Sequence, residues 1–335
     1  MRRRHLLALS AGALAAPALI ARPARAEIQS RDLHGCRIRT FDIGTQAGLH
    51  DVACDAGSFV WATGQRNGSL ILLDARDGGF NSVDLGPGAA PHGVTVGPDG
   101  AAWVTEGGQN AIGRYMPTGG RSRVELHMVT GKPNANLNTP VFDKEGTLWF
   151  TGQGGVIGRF DPRSEKMEAW DAPRGYGPYG IAVTPQDTVW YVSLAGNYLA
   201  QIDRVSGKPR IVEPPTPQQG ARRVWSDSRG RLWISEWNSG QVSVHDPRDA
   251  SWKSWKLPGD RPRAYAVYVD STDAVWLTDF AANTIVRFDP ATETFLSFPS
   301  DRPGANVRQL HGRPGEVWGA ESGTGRIVVI DKPQA

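Results

Sequence analysis

The chain has 335 residues, 39% of them hydrophobic and 21% charged, with 40 glycines, 24 prolines, two cysteines and a formal charge of +3. Five arginines and no acid fall within the first 26 residues, so the balance over residues 27–335 is −2. A near-neutral chain with interspersed signs lacks the basic stripe of a nucleic-acid binder and the basic cluster that docks on anionic lipid, so neither partner is expected.

The N-terminus has three parts: MRRRH, the apolar run LLALSAGALAAPALIA, and ARPARA. This is the order of an export signal, with cleavage expected near Ala26 and a twin-arginine character from Arg3 and Arg4. Pro17 interrupts the apolar run, which is short for a bilayer span. The expectation is an exported protein, periplasmic or secreted, whose residues 27–335 form one domain.

Within that domain a tryptophan recurs at Trp61, Trp103, Trp149, Trp190, Trp233, Trp276 and Trp318, at spacings of 42, 46, 41, 43, 43 and 42 residues. Strand-like blocks and Gly-rich turns at a period of about 40–45 residues mark a propeller blade, a four-stranded sheet repeated around an axis. Each repeat reads as a short strand a, a turn such as PDG (Pro98–Gly100), the tryptophan strand b (AAWVTE, TLWFTG), a third strand c (AIGRYM, VIGRFD, TIVRFD) and a fourth strand d. Strand c usually stops at Asp-Pro, as at Asp161, Asp246 and Asp289, because proline disfavours helix in the preceding residue and has no N–H for a ladder. The fold class is therefore all-β, a seven-bladed β-propeller, with the tryptophans packing between neighbouring blades. The seventh repeat ends after GRIVVID with only three strands, while RIRTFDI (Arg37–Ile43) has no first three strands before it. The N-terminal strand is thus expected to complete the last blade.

Cys36 and Cys54 lie in a chain whose export would permit a disulfide. The repeat register puts them on different blades, outermost strand against innermost, beyond the roughly 7 Å Cα separation a disulfide tolerates, so both are expected to be free.

In a propeller the d-to-a and b-to-c connections emerge on one face. Counting back eleven residues from each tryptophan (ten in blade seven) reaches the top of strand a and gives His50, His92, Asn138, Tyr179, Arg222, Tyr265 and Arg308. Counting forward three gives Gly64, Glu106, Gly152, Ser193, Glu236, Asp279 and Glu321. A ring of imidazole, phenol and guanidinium beside carboxylates can bind a polar ligand, hold a divalent ion or move a proton near neutral pH. The carboxylates also have a plain reading as polar hairpin turns. His127, His245 and His311 fall away from the mouth and read as structural. Nucleophile-elbow, Walker, HExxH and CxxC patterns are absent from the sequence.

The segments PHGVTVGPDGAAWVTEGGQNAIGR (Pro91–Arg114) and GPYGIAV (from Gly177) resemble repeats of the streptogramin B lyases, the virginiamycin B lyase family, and the likeness runs over the whole of residues 27–335. The resemblance implies a Mg2+-dependent lyase that opens a cyclic depsipeptide by elimination at an ester C–O bond, with a histidine base. That base lies in an EPHG segment of blade seven, whose Glu holds the metal. A second Glu in the b-to-c turn also ligates it, and a blade-six histidine contacts substrate. In this chain the EPHG position reads Asn306, Val307, Arg308 and Gln309, the blade-six position is Tyr265, and Glu321 matches the b-to-c Glu. Histidines at the mouth fall instead on blades one and two. His92 and His50 are therefore the candidate catalytic groups, with Glu106 and Glu321 as candidate metal ligands. Asn138, Tyr179, Arg222, Tyr265 and Arg308 are candidate ligand contacts. Three functions stay open: a lyase on a cyclic peptide or ester, a catalytically silent propeller that binds a small molecule or cyclic peptide, and a metal-dependent lactone hydrolase. An Arg-rich mouth around Arg222, Arg263 and Arg308 favours an anionic ligand.

Overall fold

The computed structural model describes residues 24–118 and 121–332. The expected export segment lies outside the described residues except at its end, where Ala24–Arg25 forms a short strand on blade one, pairing with Gly79 and Phe80.

Seven antiparallel sheets surround one axis. From inside to outside, strands a to d of blade one are Leu49–Cys54, Phe59–Gly64, Ser69–Asp74 and Gly79–Asp84, and blade two runs from Pro91–Val96 through Ala102–Glu106 and Ala111–Thr118 to Arg121–Met128. Blades three to six begin with strand a at Leu137–Phe142, Pro178–Val183, Ala221–Ser226 and Ala264–Val269. Blade seven takes strands a to c from Val307–Arg313, Glu316–Glu321 and Arg326–Asp331, and its fourth strand from Cys36–Asp42. The closure read from the sequence is thus present: the beginning and end of the chain share one sheet. Arg39 clamps it with a two-pronged ion pair to Asp331, at 2.7 and 2.9 Å. Four strands per blade is exceeded twice, because Glu27–Leu33 adds a fifth strand outside Cys36–Asp42 and Ala24–Arg25 a fifth on blade one.

Each recurrent tryptophan is buried and covers the next blade rather than its own. Trp61 clusters with Val94, Val104 and Tyr115 of blade two, Trp103 with Leu148 and Phe150 of blade three, and Trp318 with Leu49, Val60 and Ile71 of blade one, closing the ring. The indole N–H sits in the same interface and would be costly unpaired. Trp149, Trp233 and Trp276 donate it to Asp143, Asp227 and Asp270 at 2.8, 3.0 and 2.7 Å. The other oxygen of Asp143 accepts the backbone N–H groups of Glu145 and Thr147, so one carboxylate folds the a-to-b turn and orients the ring. The a-to-b turn aspartates therefore fix the tryptophan rings as well as the turns. Cys36 and Cys54 are free and buried, as expected.

Replacing Asp143 with alanine removes four hydrogen bonds, one of them the ion pair with Arg204, and strands a buried indole N–H. Urea unfolding should show a loss of about 2–4 kcal/mol with an unchanged denaturant slope.

Candidate functional site

Every strand a carries a register irregularity near its mouth end, as between Leu49 and Val52, Pro91 and Val94, and Ala221 and Arg223. A bulge re-aims side chains and leaves an unpaired N–H that needs another partner. Here that partner is a hydroxyl two residues after the tryptophan. The N–H groups of Asp51, Gly93, Arg223 and Ala266 donate to Thr63, Thr105, Ser235 and Thr278 at 2.9–3.1 Å. Three of these hydroxyls also donate onward to the carbonyl of the next blade's mouth residue: Thr63 to His92 at 2.8 Å, Thr105 to Asn138, and Ser235 to Tyr265 at 2.6 Å. Thr151 does the same for Tyr179.

The predicted ring converges. The His50 and His92 rings lie 3.8 Å apart between centroids, His92 lies edge-on to Tyr179 at 6.0 Å, and the Tyr179 and Tyr265 hydroxyls are 2.6 Å apart. Arg222 stacks on Tyr265 with its guanidinium carbon 3.9 Å from the ring centre and reaches the Tyr179 hydroxyl at 3.4 Å. Arg308 reaches the Tyr265 hydroxyl from the other side at 3.4 Å. Asn138 is fully buried and completes the contact by donating from Nδ2 to Nε2 of His92 at 3.2 Å, because its Oδ1 accepts the Thr139 hydroxyl at 2.7 Å.

That network separates the two histidines chemically. With Nε2 of His92 accepting from Asn138, its proton sits on Nδ1, a buried atom without a partner, so neutral His92 presents a donor at its unpartnered nitrogen. His50 donates from Nδ1 to Asp51 at 2.8 Å, which leaves Nε2 as a lone-pair acceptor. Of the two catalytic candidates, His50 is arranged as a base and His92 is not. Burial, reinforced by Arg223, Arg308 and Arg222, holds His50 well below the ordinary histidine range, and burial with the His50 neighbour does the same to His92. Asp51 also accepts Arg223 from across the axis at 2.7 Å. Burial pushes the Asp51 carboxyl up while Arg223 pulls it back, and Arg223 stays cationic because Asp51 and the two phenols outweigh its own desolvation.

The phenols split likewise. Burial and the Tyr265 neighbour push Tyr179 up to about 12. Burial alone would raise Tyr265 too, but Arg222, Arg223, the Tyr179 hydrogen bond and Arg308 outweigh it and lower it. The two hydroxyls share one 2.6 Å hydrogen bond in which either can donate.

The candidate metal ligands do not join this cluster. Glu321 is ion-paired to Arg326 at 2.7 Å and also accepts Ser300 at 3.1 Å and Thr324, which uses both of its oxygens. Glu106 accepts the Ala90 N–H at 2.9 Å, and burial pushes its carboxyl up. Both bond the b-to-c turn to neighbouring loops, Glu106 through Oε2 alone, its buried Oε1 having no partner among the described residues. Among the described residues, the group whose donor atoms converge is His50, Asp51 and His92, within 4.8 Å of one another. Mg2+ prefers near-octahedral oxygen ligands. Two imidazole nitrogens and a carboxylate already bound to Arg223 do not fit it, and Arg308 occupies the blade-seven position.

Asp51, Arg223, Trp237 and Phe280 were missed by the sequence count. The first two follow His50 and Arg222 by one residue and face the axis because of the bulge. Trp237 and Phe280 come four residues after a recurrent tryptophan and wall the mouth beside Tyr265, at 5.8 and 4.6 Å between ring centres. His127, His245 and His311 pack against aromatic rings away from this cluster, as expected.

A family model described as the virginiamycin B lyase family matches residues 24–261. A virginiamycin B lyase of Nocardia farcinica is 26% identical over 186 residues, 55% of this chain and 61% of that protein. The aligned region thus spans less than two thirds of that relative. A virginiamycin B lyase from Staphylococcus aureus superposes with a TM-score of 0.81 at 20% identity, over 88% of this chain and 99% of that one, which shows the fold. A catalytically inactive His-to-Ala form of the Staphylococcus aureus enzyme, with quinupristin, superposes at 0.80 with the same identity and coverage.

His50 and His92 are neutral when folded but take up protons near pH 6.5 when unfolded. The unfolded state therefore binds more protons as the pH falls below that value, and stability should drop by up to about 1.4 kcal/mol per pH unit for each histidine. Denaturant unfolding between pH 7 and 5 should show this slope, and the His50→Gln, His92→Gln double variant should flatten it.

Proposed function

The chain belongs to the virginiamycin B lyase family, and from that premise we propose that it is a carbon–oxygen lyase that opens an ester bond in a cyclic peptide or similar substrate by elimination at the axial mouth. The carrying observation is a neutral imidazole with a free acceptor nitrogen, oriented by a carboxylate, in the same mouth as two guanidinium groups.

His50 Nε2 takes the proton α to the ester-bearing carbon. The C–H electron pair becomes the new Cα=Cβ bond, the Cβ–O bond breaks, and the ester oxygen leaves with its pair as a carboxylate. The proton stays on His50, where Asp51 stabilises the imidazolium, and then passes to solvent. Charge that develops on the adjacent carbonyl oxygen is met by Arg222 and Arg308, a role a divalent cation fills in metal-assisted eliminations. His92, held by Asn138, supports the His50 ring and offers a proton from Nδ1. The leader sequence supports action outside the cytoplasm.

Quinupristin incubated with the purified protein should give a linear product of unchanged mass, with chelator making no difference. His50→Ala should lower kcat by about 100-fold or more, and Asp51→Asn by a smaller factor. Because His50 is held below the ordinary histidine range, the acid limb of kcat/KM should lie below pH 6.5. A product heavier by one water would identify a hydrolase, and bound but unchanged ligand would identify a silent binding propeller.

A further inference from the structure

The mouth has an uneven charge. Its histidine side is neutral, and its single acid there, Asp51, is matched by Arg223. On the opposite side Arg222 and Arg308 converge on one phenol, and among the described residues neither has a carboxylate partner. Other acids near the mouth bond groups other than these two: Asp279 the backbone of Arg263 and Ala281, Glu236 the Ser239 hydroxyl through one oxygen, and Glu321 Arg326. Nε of Arg222 is buried without a partner. Two guanidinium groups are held in place by aromatic stacking and a hydroxyl, Arg222 against Tyr265 and Trp237 and Arg308 through Ser322. Such fixed forks match the two oxygens of a carboxylate, and they lose little freedom on binding one. Half-buried Trp237 and Phe280 beside them, 5.5 Å apart and edge to face, add flat apolar surface for a ring.

We propose that Arg222 and Arg308 form a carboxylate subsite, flanked by Trp237 and Phe280, so that the preferred ligand of this mouth is a ring-bearing compound with a free carboxylate rather than an uncharged ester. The inference goes beyond the lyase reading, with which it shares the mouth and the two arginines. A substrate whose abstracted proton lies α to a free carboxylate would have that charge neutralised by the pair before the proton leaves, which an elimination from such a carbon requires.

Calorimetric titration of the full chain with benzoate, benzamide and inorganic phosphate tests it. Benzoate should bind at least about tenfold more tightly than benzamide, the size of one charge-assisted hydrogen bond, and more tightly than phosphate. Arg222→Gln and Arg308→Gln should each weaken benzoate by a similar factor, with Arg308→Lys in between and unfolding midpoints near that of the parent. Equal affinity for benzamide, tighter binding of phosphate, or full affinity in a stably folded Arg308→Gln variant would overturn the subsite. These outcomes are independent of turnover: benzoate binding with no reaction on quinupristin removes the lyase reading alone, and undiminished turnover without benzoate discrimination removes the subsite alone.

Discussion

A single hydroxyl on the second strand of most blades links the repeat to the site. Thr63, Thr105 and Ser235 each accept the N–H released by a bulge in their own blade and donate to the carbonyl behind a mouth residue of the next. The bulge would otherwise strand a buried donor, and the next blade would be fixed only by apolar packing, which resists separation but tolerates sliding. Directional bonds remove that freedom. The position of His92 is therefore set by Thr63, one blade away, and that of Tyr265 by Ser235.

The mouth built on this frame is divided in two. Blades one and two supply uncharged imidazoles, whose proton positions follow from their partners: a carboxylate for His50 and an amide for His92. Blades four to seven supply phenols and guanidinium groups. Arg223 joins the halves by crossing from blade five to Asp51 on blade one, while its other arm bonds Thr139 on blade three. A buried ion pair of this kind adds little net stability after desolvation, yet removing one member leaves an uncompensated charge. Its clearest effect here is to oppose the upward push that burial gives the Asp51 carboxyl beside His50. Arg308 of blade seven and His50 of blade one stand on adjacent innermost strands of the ring.

The architecture was legible in the sequence because a large ring recurs wherever one sheet covers the next, and the ring of mouth residues followed from counting along strand a. Trp103 and Trp318 show why this worked: each packs on the apolar strands of the next blade. The count failed where the backbone leaves ideal pairing. A bulge turns two consecutive residues toward the axis, so Asp51 and Arg223 joined columns the alternation rule assigned to His50 and Arg222. The turn carboxylates are ambiguous for another reason. Glu106 and Glu321 have the residue type of metal ligands, but whether a lone pair is free depends on partners such as the Ala90 N–H and Arg326, which spacing does not reveal. Likewise nothing in the letters HG or HD tells which ring nitrogen of His92 or His50 bears the proton.

Sharing blade seven between the two chain ends has a temporal consequence. Strand Cys36–Asp42 is among the first segments synthesised, but the sheet it joins is finished only when Arg326–Asp331 has been made. His50 and Arg308 lie on the innermost strands of the two blades that meet beside that closing sheet. Until Cys36–Asp42 pairs with it, the outer edge of Arg326–Asp331 has no strand beside it, and the ring closes only when the two ends of the chain meet.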